Sequence, residues 1–216
     1  MKELTLVVAS KNYSSWSLRP YLALVHTGQP FREVVVPLGT EATAASIAKY
    51  SPSGRVPVLH HGERVLWDSL AICEYLAEQF PAARLWPEDV EARALARCVT
   101  AEMHAGFTSL RTHMSMNLRA RKPGEGHAPG VSEDIARITA LWRECRGRHG
   151  QGGPFLFGAF SIADAFYAPV VTRFVTYGVA LDAVGAAYRD AVLALPGLKA
   201  WTEAALGEPP VARYEK

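Results

Sequence analysis

The apolar positions of this chain change their rhythm once, near residue 80. Before that point, short β-rich runs alternate with helical ones. Leu4 to Ala9 reads as a strand, and a helical stretch carrying Leu22, Leu24 and Val25 ends at Gly28. Glu33-Val34-Val35-Val36 reads as a second strand and Glu41 to Tyr50 as a short helix. Val58 to Leu66 is a strand-turn-strand with Gly62 in the turn, and Leu70, Ile72, Cys73, Leu76 and Phe80 then recur at helical spacing from near Asp68. A βαβ unit followed by a ββα unit implies a mixed four-stranded sheet covered by helices.

From Pro81 to Pro87 two prolines and Trp86 interrupt the pattern, and beyond them strand signals vanish. Residues 81–88 therefore read as a linker, stiffened by proline and pinned by Trp86. Helices are expected over Val90 to Arg121, Ser132 to Gly147, Ser161 to Tyr177, Ala183 to Leu195 and Leu198 to Leu206, separated by Gly/Pro stretches. Ser161 and Asp164 stand at capping-box spacing, Asp replacing the usual Glu or Gln, a structural role. The fold class is thus α/β plus all-α: an N-terminal domain over residues 1–80 and a helical domain over residues 89–216.

With 216 residues, 49% apolar and 20% charged, the chain has material for one large core or two small ones. A net charge of +2 creates no long-range field, and Arg119 to Lys122 is too short a basic run for a nucleic-acid groove. No nucleic-acid partner is expected. Cys73, Cys98 and Cys145 form no Cys-x-x-Cys pair and read as small buried hydrophobes in helices. The opening apolar run is too short for a signal-peptide core, and nothing approaches a membrane span, so a cytosolic location away from membranes is expected.

Two neighbouring motifs describe a socket for a small peptide. Pro57 brings no N–H to a sheet and belongs at a strand's first residue or at an edge. If the Val56-Pro57 bond is cis, the backbone N–H and C=O of Val56 face outward, free to pair with an extended peptide. Ser69 then falls at a helix N-terminus, which attracts a carboxylate, and Asp68 offers a charge to an ammonium. Either residue can equally be a plain N-cap. After the first strand, Pro20 belongs in the first turn of its helix, so that helix starts near Ser15 to Ser17, with Ser14, Ser15 and Ser17 at its N-terminus. A hydroxyl there serves as a cap or donates to a substrate thiolate. Such a bond together with the helix end lowers a thiol pKa of about 8.5 by about one to two units.

Taken in order, Ser14-Ser15-Trp16-Ser17-Leu18-Arg19, Ser51-Pro52-Ser53-Gly54-Arg55-Val56-Pro57, Asp68-Ser69-Leu70-Ala71-Ile72 and Ser161-Ile162-Ala163-Asp164 resemble the cytosolic glutathione transferases, in particular the serine-type branch with the theta and zeta classes and many bacterial members. The resemblance spans nearly the whole chain. It implies a thioredoxin-like N-terminal domain, an all-helical C-terminal domain, a homodimer, glutathione as co-substrate and a small electrophile as its partner. By residue, it implies Ser14 as the thiol-activating group with Ser15 as the alternative, although Trp16 stands where the zeta motif has cysteine. Val56 and Pro57 match the clamp on the cysteinyl unit. Arg55 is matched to the glycine carboxylate, and Asp68 with Ser69 to the γ-glutamyl end, where Asp reaches less far than the usual Glu.

An electrophile pocket is expected between the domains, with Tyr13, Trp16, Met103, Phe107, Arg111, Met114, Arg173 and Tyr177 as wall residues. Met and Phe at helical spacing read equally as core. Arg173-Phe174 is similar to an Arg-Phe pair that handles a substrate carboxylate in zeta-class isomerases, one helical step early counted from Asp164. No metal is expected: His60 and His61 point to opposite strand faces, and His104 and His113 lack companions. Three functions stay open, namely thiol transfer to an electrophile, glutathione-dependent isomerisation or dehalogenation, and a non-catalytic glutathione-binding module.

Overall fold

The structure, a computed structural model, describes residues 3–215. Its sheet has the order β2-β1-β3-β4, built from β1 (Leu4–Ala9), β2 (Arg32–Val36), β3 (Val58–His61) and β4 (Arg64–Trp67). β1 is buried along its whole length, as its apolar run requires, and pairs parallel with β2 and antiparallel with β3. β3 and β4 form the hairpin around Gly62, which takes φ 61° in the turn.

Helix α1 (Ser15–His26) crosses from β1 to β2, α2 (Thr43–Ala48) precedes β3, and α3 (Ser69–Gln79) follows β4. Pro20 lies in the second turn of α1, a turn deeper than expected, so the Trp16 carbonyl lacks the N–H that an i+4 residue would supply. After a turn at Pro81–Ala83, Trp86 is nearly buried and its indole N–H donates to Glu74 Oε2 on α3 at 2.9 Å. The remaining helices are α4 (Val90–Ala105), α5 (Thr108–His113), α6 (Val131–His149), α7 (Ile162–Tyr177), α8 (Ala183–Leu193) and α9 (Pro196–Leu206). This is a thioredoxin-like unit joined to a helical one, among the described residues.

The single helix expected over Val90 to Arg121 is broken. Gly106 is extended and Phe107 takes the left-handed region at φ 55°, while a Cβ on Gly106 would sit 2.7 Å from the Glu102 carbonyl. Arg111 holds the break by donating to the carbonyls of His104 and Gly106 at 3.2 and 3.0 Å. Beyond His113 the chain leaves helix altogether, and Asn117 Oδ1 anchors it by accepting from the Asn12 amide, Arg119 N and Ala120 N.

The central helix of the second unit is α7, which is buried on nearly all sides and packs on both α1 and α4. Ser161 and Asp164 form the capping box that starts it. Cys73 and Cys145 are buried, but Cys98 is exposed on α4, contrary to expectation: it lies on the solvent side of that helix, away from Val99 and Met103 in the core. No described helix is long and apolar enough to cross a membrane.

Candidate active site

Two adjoining cavities of about 530 Å³ each meet at the N-terminus of α1 and share Trp16, Arg55 and Val56. The first runs along Val56 and Pro57 to Trp67, Asp68 and Ser69. The second contains Tyr13, Ser14, Ser15, Arg111, Arg173 and Tyr214. One groove thus connects the N-terminal end of β3, the start of α3 and the start of α1.

The Val56-Pro57 bond is cis. Val56 takes no part in the ladder, whose β3 register begins at Val58, and so lies in the cavity wall. Asp68 is the N-cap of α3 at φ 70°, a region that residues with a Cβ rarely enter, and strain of this kind clusters where ligands are clamped. Its Oδ1 accepts from Leu70 N at 2.8 Å and Ala71 N at 3.4 Å, while Oδ2 stands 3.3 Å from His104 Nε2. Ser69 Oγ is buried with no hydrogen-bond partner among the described residues.

Ser14 is the N-cap of α1. Its hydroxyl donates to Ser17 Oγ at 2.8 Å and accepts weakly from Ser17 N at 3.4 Å. Ser17 Oγ in turn accepts from Ala9 N at 3.2 Å. Ser15 Oγ accepts from Arg173 Nη2 at 3.2 Å, leaving its own proton free to donate. Tyr13 is occupied elsewhere: its hydroxyl accepts from Val211 N and Arg119 Nη2 and donates to the Glu215 carboxylate. That network cannot also serve a thiol.

Of the expected pocket walls, Tyr13, Trp16, Arg111 and Arg173 line the second cavity. Met103, Phe107 and Met114 do not; they are buried in the apolar core beneath it. Tyr177 is also buried, donating to the Ser115 carbonyl at 3.3 Å. Residues missed in the sequence include Thr108 and Thr112, which share one face of α5 with Arg111, a legible polar stripe once the break at Gly106 is placed, and Ser115 just beyond that helix. Tyr214, carried back to the site by the C-terminal segment, left no local signal.

Arg19 was missed too, although a cation between Leu18 and Pro20 in an apolar run is a visible irregularity. It is buried, stacks on Trp16 at 4.2 Å and Phe166 at 4.7 Å, and its Nε and Nη1 have no partner among the described residues. Burial, with Arg173 and Arg111 nearby, pulls its pKa down to about 9. Burial likewise lowers Arg173 to about 10. Three guanidiniums therefore surround the start of α1, a field that favours an anion there. His60 and His61 are separately engaged, with the Tyr50 carbonyl and the Tyr75 hydroxyl.

Two family models match the chain: "Glutathione S-transferase, N-terminal domain" over residues 13–79 and "Glutathione S-transferase, C-terminal domain" over residues 101–204. A zeta-class glutathione S-transferase of Euphorbia esula is 30% identical over 169 residues, 74% of each chain. The chain belongs to the glutathione S-transferase family. A probable maleylacetoacetate isomerase of Caenorhabditis elegans is 27% identical over 71% of this chain and 73% of its own. Among solved structures, a glutathione transferase homologue from Burkholderia gl BGR1 with bound glutathione superposes with a TM-score of 0.71 at 25% identity, covering 96% of this chain and all of the other.

Proposed function

We propose that this protein binds glutathione along the groove and activates its thiol for attack on a small electrophile. The observation that carries the reading is the convergence of the Val56-Pro57 edge, the α3 N-terminus and the Ser14-Ser15 turn on one continuous cavity system. In this reading the γ-glutamyl ammonium meets Asp68, and its carboxylate meets the backbone N–H and orphaned hydroxyl of Ser69. The cysteinyl backbone pairs with Val56 as an added strand, and Arg55 meets the glycine carboxylate.

The sulfur then lies at the start of α1. Ser14 donates to it: a hydroxyl proton rotates freely, so Ser17, already held by Ala9 N, donates to Ser14 Oγ while Ser14 turns its own proton to the thiolate. The helix end and the three guanidiniums stabilise the same charge. Ground-state ionisation of the thiol and positioning supply the rate. The N-terminal domain, residues 1–80, holds glutathione in this reading; the helical domain, residues 89–216, walls the electrophile; and the protein works as a cytosolic homodimer.

Arg111 and Arg173 on the electrophile side favour a second reading, isomerisation of a carboxylate-bearing substrate with glutathione returned unchanged. Chromatographic separation with mass spectrometry of the products, after incubation with glutathione and an aryl halide or a cis-unsaturated dicarboxylate, separates the two. A thioether adduct supports transfer, and an isomerised acid with free glutathione supports the second reading. Absence of both products, with glutathione still bound, would defeat both catalytic readings.

A further inference from the structure

Asp68 is a short carboxylate asked to do two things. Its Oδ1 is committed to Leu70 N and Ala71 N at the start of α3, leaving Oδ2 as the oxygen free to meet a ligand in the groove. An aspartate so capped cannot swing after its ligand, and its side chain is nearly half exposed to competing water. What fixes the free oxygen is His104, from the last turn of α4, whose Nε2 is 3.3 Å away.

The imidazole is itself held on several sides. Trp16 meets it edge-on at a centroid distance of 5.4 Å, and Phe166 of α7 lies at 6.0 Å. Its backbone carbonyl accepts from Arg111, so the break between α4 and α5 fixes the residue's height along the groove. Nδ1 is buried with no partner among the described residues, so protonating it would bury an unpaired donor. The charged groups that face the ring are Asp68 from α3, Arg19 from α1 and Arg111 from α5. Burial lowers the imidazole pKa, Asp68 opposes this, and Arg19 and Arg111 add to it. The lowered pKa favours the uncharged ring, which faces Asp68 Oδ2 through Nε2 at 3.3 Å. A neutral ring steers the carboxylate without cancelling its charge.

We propose that His104 is the positioning residue for Asp68, holding its free carboxylate oxygen for the ammonium end of glutathione. The inference rests on the glutathione-binding reading above. It explains how a short side chain keeps that anchor in place, by an imidazole brought from α4 rather than by reach from α3. Below the imidazole pKa the ring becomes a cation, competes with the ammonium for Asp68, and weakens glutathione binding.

The test is calorimetric titration of the full chain with glutathione, alongside steady-state kinetics. His104→Ala should raise the dissociation constant and KM for glutathione by about tenfold, the loss of one close polar contact to a charged group, with kcat at saturating glutathione within about twofold of the parent. His104→Gln, which places an amide N–H near the Nε2 position, should recover most of the affinity and flatten the loss of binding that the parent shows between pH 7 and 5. In an Asp68→Asn background, His104→Ala should cost almost nothing further. Parent-like affinity in His104→Ala, or an undiminished further loss on Asp68→Asn, would overturn the proposal while leaving the glutathione reading intact. A parent protein that gives no heat with glutathione would overturn both.

Discussion

Arg173 Nη2 donates to Ser15 Oγ at 3.2 Å, joining the middle of α7 to the first turn of α1 across 158 positions of sequence. The same guanidinium donates through Nε to the Met114 carbonyl at 2.8 Å and through Nη1 to the Pro169 carbonyl at 3.2 Å. One buried cation therefore sets the height of the serine turn against the helical unit.

Replacing it by lysine tests that role. A point-like ammonium cannot satisfy three acceptors arranged for a planar fork, so Arg173→Lys should leave at least one buried carbonyl or hydroxyl unpaired and cost about 2–3 kcal/mol. Urea unfolding should show a lower midpoint at unchanged slope, and turnover should fall with it as the serine turn loosens. A midpoint equal to that of the parent would show that the tether carries no stability.

The serine pair separates by a pH–rate profile. If Ser14 meets the sulfur, Ser14→Ala should cut kcat by roughly tenfold to a hundredfold, leave glutathione affinity within about twofold, and move the rising limb of the profile toward the free-thiol value of about 8.5. Ser15→Ala removes only an acceptor of the Arg173 fork and should leave that limb in place. The reverse result would transfer the role to Ser15.

Much of this was legible in the sequence wherever the signal is local. The β-rich run of β1, the Gly62 turn, the cap at Asp68 and the Ser161–Asp164 box each rest on a few neighbouring residues, and the structure has them in those roles. Legibility fails where a contact is made across the chain. Met103, Phe107 and Met114 have the apolar chemistry of a pocket wall, but core and cavity look alike until the packing of α4 on α7 is known. His104 was set aside for want of a histidine or glutamate at metal spacing, when its partner is a carboxylate 36 positions away. The break at Gly106 was hidden because glycine within a helical pattern is tolerated often enough to be read through.

Asp164 gives a pH signature of stability. It is fully buried and accepts from Leu156 N, Ser161 N, the Ser161 hydroxyl and the Tyr188 hydroxyl. Burial raises its pKa to about 6, against the opposing pull of those bonds. Between the ordinary value of 3.8 and about 6 the native carboxyl retains a proton that the unfolded chain has released. Its contribution is full below 3.8 and falls away as pH rises through about 6. Asp164→Asn does not titrate, so the stability advantage of the parent over this variant should shrink from pH 4 to 6 and stay level above 7. Urea melts at four pH values decide it; a constant difference would mean the carboxyl titrates at its ordinary value.

The last prediction concerns the segment after α9. Glu208 accepts from Lys11 N at 2.7 Å and Asn12 N at 3.1 Å, Val211 N donates to the Tyr13 hydroxyl at 3.0 Å, and the Tyr214 ring lies 5.1 Å from that of Tyr13. Arg119 joins both ends by donating to the Glu208 carbonyl and to Glu215 Oε1, the latter at 3.3 Å. The Tyr13 hydroxyl bond, helped by Asn117 and Arg119, holds the Glu215 carboxyl below its usual range, so the strap stays ionised and closed into mildly acid solution. Because Tyr214 reaches the second cavity while, among the described residues, none after α9 lines the first, ending the chain at Gly207 should act on one substrate alone. KM for the electrophile should rise several-fold, with bulkier electrophiles tolerated, while calorimetric affinity for glutathione stays within about twofold. Equal losses for both substrates would mean that the strap supports the α1 turn rather than the pocket wall.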